Sequence, residues 1–100
     1  MYRFIRTGQA KNDKLGEAIA FGQQVVEHIN ANYPGITFQL FTEIFGDINR
    51  LHWICDFETL ADVEAFMLKI NQDQAYFKIV SDSPGIFTDG SLHDTMMSSL

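Results

Sequence analysis

The sequence predicts an α+β domain in which one antiparallel sheet carries helices on a single face. Three observations support this fold class. The stretch Ile36–Phe57 has the residue alternation of two long strands joined by a turn. The stretches on both sides of it repeat apolar residues with the 3.6-residue period of amphipathic helices. Short apolar segments near the two ends of the chain supply two further strands.

The central hairpin is rich in aromatic and β-branched residues, which favour the pleated surface of a sheet. Gly46 and Asp47 supply the backbone angles that a tight reversal needs. A loop of two or four residues at this point places Glu43 directly opposite His52 on the neighbouring strand.

Successive side chains of a strand point to opposite faces of a sheet, so this pairing sorts the hairpin into two sets. The apolar set, which is expected to pack against helices, consists of Phe38, Leu40, Thr42, Ile44, Leu51, Trp53, Cys55 and Phe57. The mixed set consists of Gln39, Phe41, Glu43, Phe45, Arg50, His52, Ile54 and Asp56. The mixed surface is too apolar for water and too charged for an ordinary core, so we expect a partner or a ligand to cover it.

The remaining strands lie at the two ends of the chain. Tyr2–Thr7 is predicted as the first strand, with Arg3, Ile5 and Thr7 on the mixed face. Leu92–Ser98 is predicted as the last strand.

Three helices complete the prediction. Lys11–Asn32 has an apolar stripe at helical spacing and is expected to be capped by Asn12 or Asp13. Thr59–Ile70 begins with a sequence that resembles a capping box. Gln74–Ser81 is a shorter helix that ends before a proline and a glycine.

The resulting order, β-α-β-β-α-(α)-β, is that of the ferredoxin-like fold. One hundred residues make a single domain, residues 1–100. An antiparallel sheet with helices on one face leaves its other face bare. Two copies that pack their bare sheets together would bury the mixed set, so we expect a homodimer through the open sheet face.

Composition excludes several classes of partner. The formal net charge is −6 and no run of Lys or Arg is present, which argues against a nucleic-acid or anionic-membrane surface. The single cysteine, Cys55, excludes an internal disulfide and a cysteine-based zinc site. No apolar run approaches the roughly 20 residues of a membrane span. Met1–Phe4 lacks a signal-peptide core, so we expect a cytoplasmic protein. No glycine-rich cofactor fingerprint is present, and no cofactor is predicted.

Glu43 and His52 are the candidate catalytic residues. A carboxylate beside an imidazole orients the ring, and this is a general acid/base arrangement when it lines a cavity. The alternative is a cross-strand ion pair that only fixes the register or the dimer. The candidate ligand-binding residues are Gln39, Phe41, Ile54, Asp56 and Arg3.

Other chemistry-bearing residues favour structural roles. Ser91, His93 and Asp94 contain the residue types of a hydrolase triad, but their spacing favours hydrogen bonding within a turn. His52, His93 and Glu43 could supply a two-His-one-carboxylate metal site. Nothing in the sequence brings His93 near the other two, so no metal is predicted.

Three further residues are assigned by their position on a face. Cys55 and Trp53 belong to the apolar set and are expected in the core. His28 lies off the apolar stripe of the first helix and is expected in solvent.

At this point the chain resembles the dimeric α+β-barrel superfamily, which includes stress-responsive barrel proteins, antibiotic-biosynthesis monooxygenase-like proteins and NIPSNAP-like proteins. The element order carries the resemblance along the whole chain. The local features are the helix exit Tyr33-Pro34-Gly35, the turn Phe45-Gly46-Asp47, the pair His52-Trp53 and the closing segment Asp89-Gly90-Ser91-Leu92-His93-Asp94-Thr95. The chain is most similar to small, uncharacterised bacterial members. The resemblance implies a homodimer whose two sheets enclose one cavity.

The resemblance does not choose a chemistry. The superfamily hosts oxygenases, haem-degrading enzymes, isomerases and members of no known activity, and fold alone does not imply function. The Asn/Trp/His set of the haem-degrading branch has no counterpart here, because Trp53 falls on the helix-packed face.

Two functional hypotheses follow. In the first, a homodimeric barrel binds a small, partly apolar molecule between its sheets. Its enzymatic version is a cofactor-independent monooxygenase or isomerase with His52 as base, held by Glu43. In the second, the chain is a structural or interaction module whose dimer seam is filled and holds no ligand. The sequence leaves open whether the protein is an enzyme.

Overall fold

A computed structural model describes all of residues 1–100. The elements, in chain order, are β1 (Tyr2–Gln9), α1 (Leu15–Asn32), β2 (Gln39–Thr42), β3 (Arg50–Phe57), α2 (Leu60–Ile70), α3 (Gln74–Ser81) and β4 (His93–Ser98). The strands form one antiparallel sheet in the order β2-β3-β1-β4. The predicted ferredoxin-like order is confirmed.

The core lies between the sheet and the helices, and the sheet supplies it from the predicted apolar set. Leu51, Trp53, Cys55 and Phe57 alternate along β3 and are all buried. Their neighbours on β3 point to the other, helix-free face because side chains alternate along a strand. The predicted division of this strand into two faces is therefore confirmed.

Close approach of α1 to the sheet depends on Gly22. A Cβ atom at this position would lie 2.8 Å from Leu40 Cδ2 and 3.2 Å from Trp53 Cζ2. Trp53 Nε1 also donates a hydrogen bond to the Gly22 carbonyl oxygen at 3.3 Å. The missing side chain thus lets the helix backbone meet the indole directly.

The register of the hairpin differs from the prediction by two residues. Phe41 lies opposite His52 and Thr42 lies opposite Leu51, whereas the predicted pairing set Glu43 opposite His52. A shift of two residues keeps the side chains that remain in the two strands on their predicted faces, because the side-chain period of a strand is also two.

The connection between β2 and β3 is longer than a tight turn and spans residues 43–49. Glu43 leaves the strand and its Oε1 accepts a hydrogen bond from the Asp47 amide at 3.0 Å, which closes a side-chain-stabilised turn. Ile44 and Phe45 consequently stand in the loop, 83% and 93% exposed, and not in the strand as predicted.

The helix starts test the capping predictions. α1 begins at Leu15, and its N-cap residue Lys14 makes no side-chain cap. The predicted capping by Asn12 or Asp13 is wrong: Asn12 Oδ1 instead accepts a hydrogen bond from Asn49 Nδ2 at 3.0 Å, which ties the start of the helix to the hairpin loop.

No helix combines the length and the apolar character that a bilayer crossing requires.

Candidate functional site

The residues predicted from the sequence as a site lie together on the helix-free face, which we call the open face. Arg3 lies opposite Asp56, Gln39 opposite Ile54, and Phe41 opposite His52. These pairs form a continuous surface across β2, β3 and β1. Whether this surface binds a ligand stays a prediction.

His52 is held from both sides of its ring. Its Nε2 lies 2.8 Å from Glu43 Oε2, and its Nδ1 lies 2.9 Å from Thr7 Oγ1. The hydrogen bond with His52 lowers the pKa of Glu43, and the Asp47 amide lowers it further. The predicted contact between Glu43 and His52 therefore exists, although it is made by a loop residue reaching back to the strand. Both ring nitrogens of His52 are therefore engaged by neighbouring side chains.

The charges on the open face compensate one another. Arg3 Nε and Nη2 donate to the two carboxylate oxygens of Asp56 at 2.8 and 3.0 Å, and this contact lowers the pKa of Asp56. Arg50 Nη1 lies 3.4 Å from Glu43 Oε2. The face thus carries little net charge in a chain whose formal charge is −6.

His93 joins this face through β4. Thr7 lies opposite His52 on one side and opposite His93 on the other, so the two imidazoles flank the threonine on the same face. Sequence reasoning missed this because the pairing of β4 with β1 is set only by the tertiary fold. No group of three or more His, Cys, Asp or Glu side chains is placed to hold a metal ion.

The residue types of the suspected hydrolase triad are not brought together. Ser91 Oγ accepts a hydrogen bond from the Gln9 amide at 3.2 Å. Asp94 follows His93 on β4 and so points to the opposite face, where it binds Arg6. Ser91 therefore has the turn-stabilising role that its spacing predicts.

A cavity of about 330 Å³ lies on the other face, between the sheet and the helices. Of its 17 lining residues 14 are hydrophobic, and none belongs to the set predicted as a site from the sequence. The aromatic members are Phe4, Phe21, Phe38, Trp53, Phe66, Tyr76, Phe77 and Phe87. We call this space the helix-side cavity. Its size and apolar walls are those of small-molecule pockets.

Three polar side chains line the helix-side cavity: Arg6, Asn71 and Ser83. Arg6 Nε and Nη2 donate to Asp94 at 2.7 and 2.8 Å, and this contact lowers the pKa of Asp94. The hydrogen bond to Asp94 raises the pKa of Arg6, and the hydroxyl group of Tyr76, which also lines the cavity, raises it further. A sequence signal for Arg6 existed, since it is the charged residue among Tyr2 and Phe4 on the helix-facing side of β1.

A second polar cluster joins the end of α1 to the start of α3. Asp73 Oδ2 accepts hydrogen bonds from His28 Nε2 and Tyr33 Oη, both at 2.7 Å. Burial alone would raise the pKa of Asp73, but the His28, Tyr33 and Tyr76 hydrogen bonds outweigh it and lower the pKa to about 2. The prediction that His28 is in solvent is wrong, because its side chain is only 15% exposed.

Comparison with known proteins places the chain in a family. Residues 3–99 match a family described as "Family of unknown function (DUF6039)". The chain belongs to this family. No curated protein matches the sequence.

Solved structures related to this member of the DUF6039 family share its fold. A NIPSNAP domain protein from Burkholderia xenovorans has a TM-score of 0.82 at 13% identity, with 100% of this chain and 95% of that chain covered. A NIPSNAP family protein of unknown function from Agrobacterium tumefaciens has a TM-score of 0.78 at 17% identity, with coverage of 97% and 86%. An antibiotic biosynthesis monooxygenase has a TM-score of 0.74 at 13% identity, with coverage of 100% and 99%. The predicted resemblance to both groups is confirmed at the level of fold, which by itself assigns no activity.

Proposed function

We propose that this chain binds a small, mainly apolar molecule in the helix-side cavity. The observation that carries the proposal is the cavity itself, about 330 Å³ in volume with 14 hydrophobic residues among the 17 that line it. Apolar side chains that line a space of this size and open to water are unfavourable to leave uncovered, so a bound apolar molecule would stabilise the site. The expected ligand class matches the one predicted from the sequence, but the binding site lies on the opposite face of the sheet.

Arg6 supports an orienting role in this site. Two of its nitrogen atoms hold Asp94, so the charge of the guanidinium is already compensated. A neutral acceptor such as a carbonyl oxygen suits this arrangement better than a carboxylate, which would compete with Asp94 for the same donors. Asn71 offers a second polar contact from the end of α2.

Trp53 provides a direct test, because it is the single tryptophan and it lines the helix-side cavity. The apolar fluorophore N-phenyl-1-naphthylamine is titrated into the protein, with Trp53 emission and probe emission followed together. We expect saturable binding with energy transfer from Trp53 to the probe.

A cavity-filling variant and a matched control make the titration specific. Val25 lines the cavity and is 8% exposed, so Val25→Phe places its added ring in the cavity. We expect it to weaken probe binding about tenfold, which corresponds to roughly 1.4 kcal/mol. Leu68→Phe adds the same kind of ring at an exposed position outside the cavity and should leave binding unchanged. Equal affinity for the probe in Val25→Phe and wild type would exclude this site.

Proton-transfer chemistry on the open face is the second candidate function, as a cofactor-independent monooxygenase or isomerase. The observation in its favour is the 2.8 Å contact between Glu43 and His52, which orients the imidazole. The ligand contacts would come from the predicted set on the same face: Gln39, Phe41, Ile54, Asp56 and Arg3. Replacing His52 by Ala is the test, and turnover that survives it excludes His52 as the base.

We also propose that two copies of the chain pair through the open face. Phe41 and Met97 are 45% and 46% exposed there, a degree of apolar exposure typical of interfaces. The compensated pairs Arg3 with Asp56 and Arg50 with Glu43 let two identical faces approach without strong repulsion. Sedimentation equilibrium tests this, and a well-folded monomer at working concentration would exclude the dimer. A seam that closes without a cavity would support a structural or interaction module.

A further inference from the structure

α3 differs from the other helices because it buries no residue of its own. It nevertheless contributes Tyr76, Phe77 and Val80 to the wall of the helix-side cavity. A helix of eight residues is too short to be stable alone in water, so its position depends on contacts with the rest of the chain. α3 packs chiefly against α1.

Asp73 connects α3 to α1 with both of its carboxylate oxygens. Oδ1 caps α3 by accepting a hydrogen bond from the Tyr76 amide at 3.0 Å. Oδ2 accepts hydrogen bonds from His28 Nε2 and Tyr33 Oη, each at 2.7 Å. The Asp73 side chain therefore fixes both the first turn of α3 and the position of α3 against α1.

Turns flank α3 at both ends. The preceding residues 71–73 form a turn, and the following Ser83-Pro84-Gly85 turn contains Gly85 with a φ of 72°. A movement of α3 about these two turns would draw Tyr76 and Ile79 away from the buried cluster and open the cavity, while the sheet, α1 and α2 stayed in place.

We infer that α3 is the movable wall of the helix-side cavity and that Asp73, bound to His28 and Tyr33, is the latch that holds it closed. The gating role rests on the proposed binding function, whereas the latch itself does not. Opening α3 exposes the aromatic wall and admits or releases a small apolar molecule. Breaking the latch therefore increases the rate of opening without removing the pocket.

Asp73→Asn is the decisive variant because asparagine is as good an N-cap as aspartate but lacks the charge that His28 binds. The matched control is Asp82→Asn at the other end of α3, where the carboxylate binds only the exposed Lys78 at 2.9 Å. Amide hydrogen exchange of α3 measures its opening without any ligand. We expect Asp73→Asn to accelerate exchange in α3 about tenfold, the scale of one charge-assisted hydrogen bond, and Asp82→Asn to change it little.

A milder variant distinguishes local opening of α3 from a general loss of structure. Tyr33→Phe removes one of the two hydrogen bonds to Asp73 Oδ2 and keeps the aromatic ring. We expect an intermediate acceleration in α3, with exchange of the β3 amides unchanged. Acceleration of β3 to the same degree as α3 would indicate global destabilisation and overturn the latch.

Release of N-phenyl-1-naphthylamine, followed by stopped flow, tests whether α3 acts as a gate that controls access to the helix-side cavity. Faster release from Asp73→Asn than from Asp82→Asn supports it. Equal α3 exchange in these two variants overturns the latch, and faster exchange with unchanged probe release overturns the gate. If the wild type binds no probe, the proposed binding function and the gate both fail, while the exchange result still decides the latch.

Discussion

The two faces of the sheet differ in how much polar and how much apolar surface they carry. On the open face, Arg3 binds Asp56 and His52 binds Glu43, so the polar groups satisfy one another. On the helix-packed face, apolar side chains dominate and enclose a cavity, with Arg6 at its margin. The first arrangement leaves a surface with compensated charge, and the second leaves an apolar space.

The difference arises from alternate residues of the same strand. Arg3, Ile5 and Thr7 of β1 face outward, while Phe4 and Arg6 face the helices. A surface with paired charges suits another protein surface, and a concave apolar space suits a small molecule. One sheet can therefore serve assembly on one face and binding on the other.

The largest expected effect of a single substitution is in the core side of β3. Leu51 is fully buried, so Leu51→Ala should reduce the free energy of unfolding by about 2–5 kcal/mol. Ile54→Ala, on the open face of the same strand, should cost about 1 kcal/mol or less at low protein concentration. Urea denaturation measures both. Equal losses would mean that the two faces are not distinct in the folded chain.

This asymmetry of β3 could be predicted from the sequence. Alternation of apolar and polar residues depends only on the strand period, so Leu51, Trp53 and Cys55 were placed correctly although the hairpin register was off by two. The register itself was not predictable, because it depends on Glu43 turning back to bind the Asp47 amide. A contact of that kind has no signature in residue periodicity.

Acid should distinguish the partly buried carboxylate of Asp73 from the exposed carboxylate of Asp56. Asp73 has a pKa of about 2 in the folded chain, below the value near 4 of an unfolded aspartate. A lowered folded-state pKa contributes stability above pH 4 that is lost as the pH falls through about 2. We expect Asp73→Asn to cost at most about 2–3 kcal/mol at pH 7, with the difference from wild type shrinking below pH 4.

Asp56→Asn is the control on the open face. The pKa of Asp56 is also lowered, by Arg3, but its side chain is 39% exposed and solvent screens the pair. Thermal unfolding at several pH values compares the two variants. A larger acid dependence at Asp56 than at Asp73 would contradict the assignment of Asp73 as the stronger contact.

Neither the Asp73 cluster nor the helix-side cavity could be predicted from the sequence. His28 lies off the apolar stripe of α1, and 45 residues separate it from Asp73, so helical periodicity alone assigned it to solvent. A cavity is a space left by the way the helices stand away from the sheet, and no residue pattern encodes it. Arg6 was the available signal, since a charge on the helix-facing side of a strand requires a partner.

Two glycines of α1 compare a helix position that contacts the sheet with one that does not, and the expected changes in stability are smaller. Nothing lies within 4 Å of a Cβ atom built at Gly16, whereas one at Gly22 meets Leu40 at 2.8 Å and Trp53 at 3.2 Å. Gly16→Ala should stabilise the chain by up to about 1 kcal/mol through helix propensity. In Gly22→Ala, overpacking should offset the stabilisation from helix propensity. The Gly22→Ala variant should therefore be about 1–2 kcal/mol less stable than Gly16→Ala. Equal stability of the two variants in urea denaturation would show that α1 can move away from the sheet freely.

The smallest effect on the isolated chain is expected at Arg3. Arg3→Met removes the bidentate pair with Asp56, but the two side chains are 44% and 39% exposed, and ion pairs of this kind contribute little in water. At low protein concentration the melting temperature should match that of the wild type. If two copies cover the open face, the same substitution leaves the Asp56 carboxylate unpaired inside an interface, which is far more costly. Sedimentation should then show weaker association in Arg3→Met, and a dimer unaffected by the substitution would place the interface elsewhere.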